Sequence, residues 1–506
     1  MQKIFSRLNV TVAILLLQLV LTILFLDFII RYFHVVFIFT YFLNYIIIRR
    51  ILKKDEALAY KSSWIILILL FPLSGIIIYF LIENPFQKNK YIKHKLERER
   101  EKSAQLLAGY DFEKVDSRLD GISKYISEVI GYPVYRNTDV RYYSLGQYMF
   151  EDMVHDISHA KRYIFLNYYI VAAGEMWSKL EQLLIKKASE GLDVRLIFDD
   201  LGSASLFTND YKEFLKSKNI KIVIFNKINI IFSTFDNNRT HRKILVIDGR
   251  IAYNGGINLT DEYINLNNGN KLWKDTGTRL HGESAISFLL MCIEVWNTFC
   301  DESEIIADYN FYKFKEHFVS KRCGLVLPYE DNPIEKERIG ENVYIDILNK
   351  AEDYVYIFTP FLIISEYMIY AMKMAKKRGV DVRIITPGIP DWKTKSSFFV
   401  QTLNKNYYKP LQEVGIKIYE YPNTFVHAKV FVSDDEIAVV GTINLDYRSL
   451  YMNFECATLF YKGSIIQEVK KDWIDSMEKS IEVVGDDLTP MKRLLNRFLL
   501  LFAGLM

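Results

Sequence analysis

Two matching eighteen-residue motifs constrain this chain more than any other feature. Each contains a His, a Lys two residues later, an Asp five residues after that, and a glycine-containing turn that ends in Asn. The first motif contains His241, Lys243, Asp248 and Asn258, and the second contains His427, Lys429, Asp434 and Asn444. The chain has only eight histidines, so an identical spacing in two places indicates a duplicated functional motif rather than chance.

The residue types of each motif predict half of a phosphate site. Residues 244–247 and 430–432 are apolar and rich in β-branched side chains, which is typical of buried strands. Residues two apart on a strand share a face, so each His is expected to point the same way as its Lys. The glycines allow the backbone to come close to a ligand, and the Asn supplies an amide. Two such halves facing each other would surround one phosphate with two imidazoles, two ammonium groups and two amides.

Two histidines permit a reaction in two steps. One imidazole attacks phosphorus and forms a phosphohistidine, while the other protonates the leaving oxygen and then deprotonates the incoming hydroxyl. The lysines stabilise charge on the non-bridging oxygens, so this chemistry requires neither a metal nor a cofactor. A single His-x-Lys pair would more often be a core histidine beside a surface lysine, but the duplicated spacing favours a site.

A carboxylate follows each motif at a similar distance, Asp275 in KLWKDTG and Glu455 in YMNFECA. A reacting histidine needs an acceptor on one ring nitrogen to fix its tautomer and orientation, so these two acids are candidates for that role. Asp248 and Asp434 belong to the motifs and are counted with the catalytic candidates. Because they end their strands before a turn, a structural duty is the alternative.

From about residue 130 the chain is predicted to be α/β and internally duplicated. Segments 162–169 and 194–198 are predicted strands around a helix at 177–188; segments 354–359 and 382–386 flank a helix at 367–377 in the same way. GLDVRLIFDD and GVDVRIITPG are related. We therefore expect two pseudo-symmetric halves, 130–318 and 319–490, packed face to face so that equivalent strands meet.

Residues 1–85 are predicted to be a membrane region of about three helices. Apolar runs at 8–26, 32–48 and 64–82 are long enough to cross the hydrocarbon layer, with a tight helical hairpin expected at 27–31. No A-x-A-like site follows the first run, which argues against a cleaved signal peptide. Basic residues flank the runs on both sides, so the membrane face of the remaining chain stays open.

Two further segments are predicted to lie near the membrane. Residues 86–129 form a linker of mixed charge, within which 88–100 is expected to be a solvated helix. The tail, 491–506, is basic and then apolar; it either lies in the membrane interface or packs on the α/β region.

Charge and cysteine content exclude other classes of protein. The net charge of +3 argues against a general nucleic-acid binder and against a nuclease. The four cysteines have no C-x-x-C spacing, so neither a zinc site nor a disulfide framework is expected. The sequence does not indicate an oligomeric state.

The paired His-x-Lys-x4-Asp motifs resemble those of the phospholipase D superfamily. Within it, GGINLTDEY, GTINLDYRSL and NFE, together with the hydrophobic N-terminus, resemble the bacterial cardiolipin synthases. That resemblance implies a multi-pass enzyme of the bacterial plasma membrane that joins two phosphatidylglycerol molecules and releases glycerol. It makes His241 and His427 the nucleophile and the general acid/base, with His241 attacking, and Lys243 and Lys429 the phosphate ligands.

One position departs from the resemblance. The synthases commonly have R-D-T-H after the first motif, whereas this chain has Gly277 in place of that histidine. The change bears on acceptor preference or the lining of the pocket. Two alternatives remain: a phospholipase D that passes the phosphatidyl group to water, and a non-enzymatic membrane scaffold with a vestigial site.

Overall fold

The computed structural model describes most of the chain in two compact units, Met1–Asn84 and Pro85–Met506. The described residues are 2–54, 58–82, 88–107, 119–227, 238–309, 324–334, 337–392 and 397–485, together with Arg493, Asn496 and Leu500.

The first unit contains three helices, and the first of them bends by 74° between Tyr32 and Phe37 rather than turning at 27–31, where we predicted a hairpin. The helices are α1 (Gln2–Lys53), α2 (Leu58–Leu70) and α3 (Pro72–Ile82). Segment 27–31 is helical, because it contains no glycine or proline and because Asp27 and Arg31, four residues apart, form an ion pair of 2.7 Å of the kind that supports a helix.

The third apolar run is a folded pair of helices and not the single span that we predicted. Pro72 has no N–H and its ring conflicts with the preceding turn, so α2 ends before it and α3 begins there. Gly75 lets the two helices approach closely, since a Cβ at that position would lie 2.9 Å from the Ile68 Cα. The rings of Trp64 and Tyr79 are 5.3 Å apart.

Within the described part of the chain no single helix has both the length and the apolar character needed to cross a bilayer. One pair of segments in α1, Val20–Tyr32 and Phe37–Lys53, meets the criterion jointly, with a bend of 74° between them.

The second unit begins with α4 (Lys88–Leu107) and α5 (Asp120–Tyr125), followed by the first α/β half. Its further helices are α6 (Gly146–Ser158), α7 (Glu175–Ser189), α8 (Asn209–Ser217) and α9 (Ala285–Phe299). Its strands are β1 (Thr138–Tyr143), β2 (Tyr163–Tyr168), β3 (Asp193–Asp199), β4 (Ile220–Phe225), β5 (Lys243–Ile247), β6 (Ile251–Gly255), β7 (Leu272–Lys274) and β8 (Gly277–Gly282).

The second α/β half has a corresponding set of elements. Its helices are α10 (Ile339–Lys350), α11 (Glu366–Lys377), α12 (Ser397–Gln412), α13 (Tyr447–Tyr451) and α14 (Ile465–Met477). Its strands are β9 (Leu325–Asp331), β10 (Tyr354–Phe358), β11 (Leu362–Ile363), β12 (Asp381–Pro387), β13 (Lys417–Tyr421), β14 (Thr424–Val426), β15 (Val430–Ser433), β16 (Ile437–Gly441), β17 (Leu445–Asp446), β18 (Glu455–Tyr461) and β19 (Ile481–Glu482).

The two main sheets have equivalent strand orders, which confirms the predicted α/β duplication. The first sheet is ordered β1-β8-β6-β5-β2-β3-β4, and the second, read from its other edge, is β9-β18-β16-β15-β10-β12-β13-β19. In each half three strands run parallel, and the motif strand, β5 or β15, pairs antiparallel with the first of them. The strand–helix–strand segments lie where the sequence predicts them. The domain boundaries themselves remain a prediction.

The halves meet along their equivalent strands and share one apolar core. Residues from both motif strands, such as Ile244 and Val430, belong to the same buried cluster. Asn254 of β6 donates to the Thr458 hydroxyl of β18 at 3.3 Å. A two-stranded parallel sheet joins β7 of the first half to β14 of the second.

Helix α4 is partly buried, and part of the C-terminal tail contacts the α/β region. Glu99 on α4 is fully buried and accepts hydrogen bonds from Asn297 at 2.8 Å and Tyr309 at 2.6 Å, so the prediction of a solvated helix at 88–100 is wrong on this face. In the tail, Asn496 is buried and donates to the Thr402 carbonyl at 2.9 Å. Leu500 packs against the buried pair Ile363 and Leu403. Apart from these residues and Arg493, the tail lies outside the described part of the chain.

Candidate active site

Each motif histidine lies two or three residues before its strand and is fixed by the backbone of the opposite half. The His241 N–H donates to the Phe454 carbonyl at 2.9 Å, and the His427 N–H donates to the Lys274 carbonyl at 2.7 Å. Phe454 and Lys274 each directly precede one of the two predicted acids. The crossing backbones therefore bring each acid to the histidine of the other half.

The two acid–imidazole pairs cross between the halves. His241 Nδ1 lies 2.9 Å from a carboxylate oxygen of Glu455, and His427 Nδ1 lies 2.6 Å from Asp275 Oδ2. Nε2 is on the opposite side of each ring, so it is the nitrogen that would face a reacting phosphorus. Neither pair can form within one half of the chain.

Each acid contacts the glycine-containing turn of its own half, and the contact differs between the two halves. A Cβ on Gly256 would lie 2.1 Å from Asp275 Oδ1, so only glycine leaves room for this carboxylate. At the equivalent position of the second half, the Thr442 hydroxyl donates to Glu455. The difference between GGIN and GTIN in the two motifs thus follows the difference between the two acids.

The lysines lie beside the histidines of their own motifs. Lys243 Nζ donates to the His241 carbonyl at 2.6 Å, and Lys429 Nζ donates to the His427 carbonyl. Lys243 also lies 5.5 Å from the centre of the Tyr169 ring. Because an ammonium group has three N–H donors, each lysine has donors beyond this backbone contact for phosphate oxygens.

Burial leaves the imidazoles as the accessible part of the site. His241 and His427 retain 8 % and 7 % exposure. The other charged groups are at most 1 % exposed: Lys243, Lys429, Asp275 and Glu455. A reactant entering this site therefore meets the imidazoles first, in surroundings that admit little water.

The two acid–imidazole pairs are electrostatically unequal. Burial raises the pKa of Asp275 to about 7. Burial also acts to raise the pKa of Glu455, but its contact with His241, the charge of Lys243 and the hydrogen bond from Thr442 together outweigh burial, and the net shift is downward. Burial lowers the pKa of His241 to about 4. Burial, followed by the charges of Lys429 and Lys243, holds the pKa of His427 well below its usual value.

The lysines show that the four basic groups share one electrostatic environment. Burial lowers the pKa of Lys243 to about 8 and that of Lys429 to about 7, and Asp275 and Glu455 oppose both shifts. Lys243 and Lys429 each act on both histidines. A bound phosphate dianion or diester would favour the charged lysines by the same Coulomb effect.

The motif aspartates lie at the far ends of their strands from the histidines. Asp248 accepts the backbone N–H groups of Lys161, Arg162 and Tyr163 at 2.8–3.1 Å. Asp434 makes the same three contacts in the other half, with the N–H groups of residues 352–354. The positions of the two aspartates therefore do not support a catalytic role. Their contacts match the structural alternative, in which each aspartate holds the end of its strand.

The two motif asparagines have different surroundings. Asn258 accepts from the Ile170 N–H at 3.2 Å and donates to the Tyr263 hydroxyl at 2.7 Å, and the Tyr263 ring meets His427 edge-on with centres 5.3 Å apart. Asn444 hydrogen-bonds Asp446, and among the described residues its buried Oδ1 has no hydrogen-bond partner. Of the two motif asparagines, Asn444 is thus the one with an uncommitted side-chain atom among the described residues.

Gly277 faces the core of the first half rather than the histidines. A Cβ at this position would lie 2.3 Å from Met149 Sδ and 3.3 Å from Ile257 Cδ1. Met149 on α6 is fully buried. The space that a histidine at position 277 would require is therefore filled by Met149.

Several supporting residues were not identified from the sequence. Asp199, at the end of β3, accepts from the Thr240 N–H at 3.0 Å and from Arg239 Nη1 at 3.2 Å, which anchors the backbone that carries His241. Burial raises the pKa of Asp199 to about 6. Its position at the carboxyl end of a parallel strand, where functional side chains gather, is the signal that could have identified it.

Within the described residues no group of three or more His, Cys, Asp or Glu side chains is arranged to hold a metal ion. The positive charge of the site comes from its lysines.

Comparison with known proteins agrees with this geometry. The family model described as a cardiolipin synthase, PLD-like domain matches residues 153–280 and 344–477, which together are more than half of the chain. A Streptococcus mutans protein described as uncharacterized is 42 % identical over 439 residues, covering 85 % of this chain and 92 % of that protein. Cardiolipin synthase 2 of Staphylococcus epidermidis is 30 % identical over 438 residues, covering 84 % of this chain and 87 % of that protein.

A solved structure shares the fold at low sequence identity. Phosphatidylserine synthase of Haemophilus influenzae superposes with a TM-score of 0.58 at 14 % identity, over 77 % of this chain and 98 % of that one. The resemblance concerns the paired α/β halves and extends no further than the fold.

Proposed function

Because the chain belongs to the cardiolipin synthase, PLD-like family and is a phosphatidyltransferase, we propose that it transfers a phosphatidyl group from one phosphatidylglycerol to another. The products are cardiolipin and glycerol. The observation that carries this proposal is the crossed pairing of His241 with Glu455 and His427 with Asp275 at one buried site.

In the first step, His241 Nε2 attacks phosphorus and the P–O bond to the headgroup glycerol breaks. His427 donates a proton to the departing oxygen, so neutral glycerol leaves and a phosphohistidine remains. Lys243 and Lys429 stabilise the charge that builds on the non-bridging oxygens. As proposed, the reaction uses no metal ion or nucleotide.

In the second step, His427 removes the proton from a glycerol hydroxyl of a second phosphatidylglycerol. The resulting oxygen attacks phosphorus, the P–N bond to His241 breaks, and both histidines return to their starting states. The inequality of the two pairs supports this division of roles. The raised pKa of Asp275 lets the Asp275–His427 pair retain a proton near neutral pH, whereas the lowered pKa of Glu455 leaves His241 free to attack.

Transfer to a lipid is favoured over hydrolysis by the burial of the site. With the lysines and acids at most 1 % exposed, few waters can stand next to the phosphohistidine, and a bound lipid headgroup would exclude those. We propose that the Met1–Asn84 unit, which contains the bent apolar pair in α1, anchors the enzyme at the bacterial plasma membrane beside its lipid substrate.

The test is to incubate the purified full-length protein in mixed micelles with phosphatidylglycerol and to resolve the products. Cardiolipin and glycerol in equal amounts are expected. Phosphatidic acid as the main product would assign the protein to the hydrolases, and absence of turnover would favour the scaffold alternative. His155 on α6, whose side chain is 68 % exposed, supplies the matched control, because H155A should retain activity that H241A and H427A lose.

A further inference from the structure

A buried chain of charges connects helix α4 to the residue between His241 and Lys243. That residue, Arg242, is 1 % exposed and its Nη2 donates to Glu330 on β9. The other carboxylate oxygen of Glu330 pairs with Arg100 of α4 at 3.0 Å. One buried carboxylate is thus shared between the motif and a helix more than a hundred residues earlier in the sequence.

Arg242 also ties together the elements that meet beneath the site. Its Nε donates to the Glu455 carbonyl at 3.3 Å and its Nη1 to the Met291 carbonyl on α9, also at 3.3 Å. Glu455 is the acid that holds His241. A displacement of Arg242 would therefore move the backbone of both members of the His241–Glu455 pair.

The second motif lacks this connection, although the halves are otherwise equivalent. The residue between His427 and Lys429 is Ala428, which is fully buried in the apolar core. The fold of a half therefore does not require an arginine at this position. This asymmetry points to a role specific to His241 rather than to general support of the strand.

We propose that Arg100 is a positioning residue for His241 and acts through Glu330 and Arg242. Neighbouring contacts hold α4 in the register that this needs, because Glu99 is bound by Asn297 of α9. The reason for a kinetic effect is that loss of Arg100 leaves one oxygen of Glu330 without its cation, so the carboxylate and Arg242 can shift. Small displacements of a reacting group are costly to the chemical step. The inference rests on the proposed function in assigning the attack to His241.

The experiment compares R100A with R100K and with R98A in the full-length protein. Arg98 lies two residues away on the same helix with a side chain 61 % exposed, and its 3.5 Å ion pair with Glu99 is duplicated by Lys102 at 2.8 Å. It therefore controls for loss of a basic residue from α4. For R100A we expect kcat to fall about tenfold with little change in KM. R100K should recover most of the activity, and R98A should remain within about twofold of the unaltered enzyme.

A second measurement does not depend on turnover. Modification of individual histidines by diethyl pyrocarbonate, followed by mass spectrometry, should show a changed rate for His241 in R100A and an unchanged rate for His427. Equal acceleration at both histidines would mean general unfolding and would overturn the proposal, as would unchanged reactivity of His241. If the unaltered enzyme forms no cardiolipin, the proposed function fails, while the histidine rates still decide whether Arg100 positions His241.

Discussion

At the scale of single residues, the two histidines differ most in their acids. Glu455 accepts a hydrogen bond from the Thr442 hydroxyl and has a lowered pKa. Asp275 lies against Gly256 and has a raised pKa. The motif spacing makes the histidines equivalent, so the separate roles that we propose for them rest on these neighbours.

The division of roles predicts different fates for the phosphoenzyme. With phosphatidylglycerol labelled at phosphorus, H241A should give no labelled protein after an acid-free quench, because the attacking nitrogen is absent. H427A should still form labelled protein, on the order of 10²–10⁴-fold more slowly, because only proton transfer is lost. Label located on His427 in H241A, or label in H241A equal to that in H427A, would reverse the assignment.

The lowered pKa values of the lysines predict an alkaline loss of activity. The free enzyme needs charged ammonium groups to bind phosphate, and a lysine loses its charge above its pKa. Because these values are about 7 for Lys429 and about 8 for Lys243, kcat/KM, which reports the free enzyme, should decline above neutral pH. Arginine remains charged throughout this range, so any activity left in K429R should decline at higher pH. An unchanged alkaline limb in K429R would show that another group titrates.

The surroundings of Gly277 lead to a prediction about packing rather than about the choice of acceptor substrate. G277H, which restores the residue common in the synthases, places a side chain where Met149 Sδ now lies. We expect a loss of about 1–3 kcal/mol in the free energy of unfolding, measured by denaturant titration. The double variant G277H/M149A should recover part of that loss. Full stability of G277H alone would contradict the account of Met149 as the filler of this space.

At the scale of elements, the motif aspartates fix where each motif strand ends. Asp248 and Asp434 have positive φ values of 52° and 53°, a conformation that Asn also tolerates. D248N therefore keeps the turn but can accept fewer of the three N–H groups. We expect it to lose about 1–3 kcal/mol of stability while kcat per folded molecule stays within about twofold. A hundredfold loss of kcat at unchanged stability would instead indicate that Asp248 has a catalytic role.

The hydrophobic pattern of the sequence predicted helices and strands well where a single apolar face or a single apolar run distinguishes one from the other. Strands β5 and β15 were predicted from four or fewer apolar residues, because short runs rich in β-branched side chains that end at an Asp-containing turn are typical of strands. The break at Pro72 was visible in the sequence, but hydropathy alone gave no reason to fold the run back on itself. The close approach at Gly75 became clear only from its contact with Ile68.

The sequence identified the members of the site but not their pairing. Asp275 and Glu455 could be proposed as partners of the histidines because each reacting imidazole needs an acceptor. Which acid serves which histidine depends on bridges such as Thr240 with Phe454, more than two hundred residues apart. Periodicity predicts which face a residue lies on, and carries no information on such distant contacts. The burial of Glu99 was missed for the same reason.

At the scale of the whole molecule, the crossed pairs make the duplication obligatory. Each half supplies a histidine whose acid belongs to the other half. The apolar core is likewise shared, because Ile244, Val430 and the buried helix α9 belong to one cluster. A half separated from its partner would expose that core and leave its one acid, Asp275 or Glu455, without the imidazole it contacts.

This interleaving predicts that the two halves of the Pro85–Met506 unit unfold together. Hydrogen exchange read by mass spectrometry along a denaturant series should show peptides from β5 and β15 opening at the same midpoint, because neither strand retains its packing once the other half is lost. D275N removes the charge that crosses between halves, and should shift both midpoints downward by the same amount. The surface variant H155A should shift neither. Separate midpoints for the two strands, or a shift confined to β5 in D275N, would mean that the halves are independent domains brought together only at the phosphate.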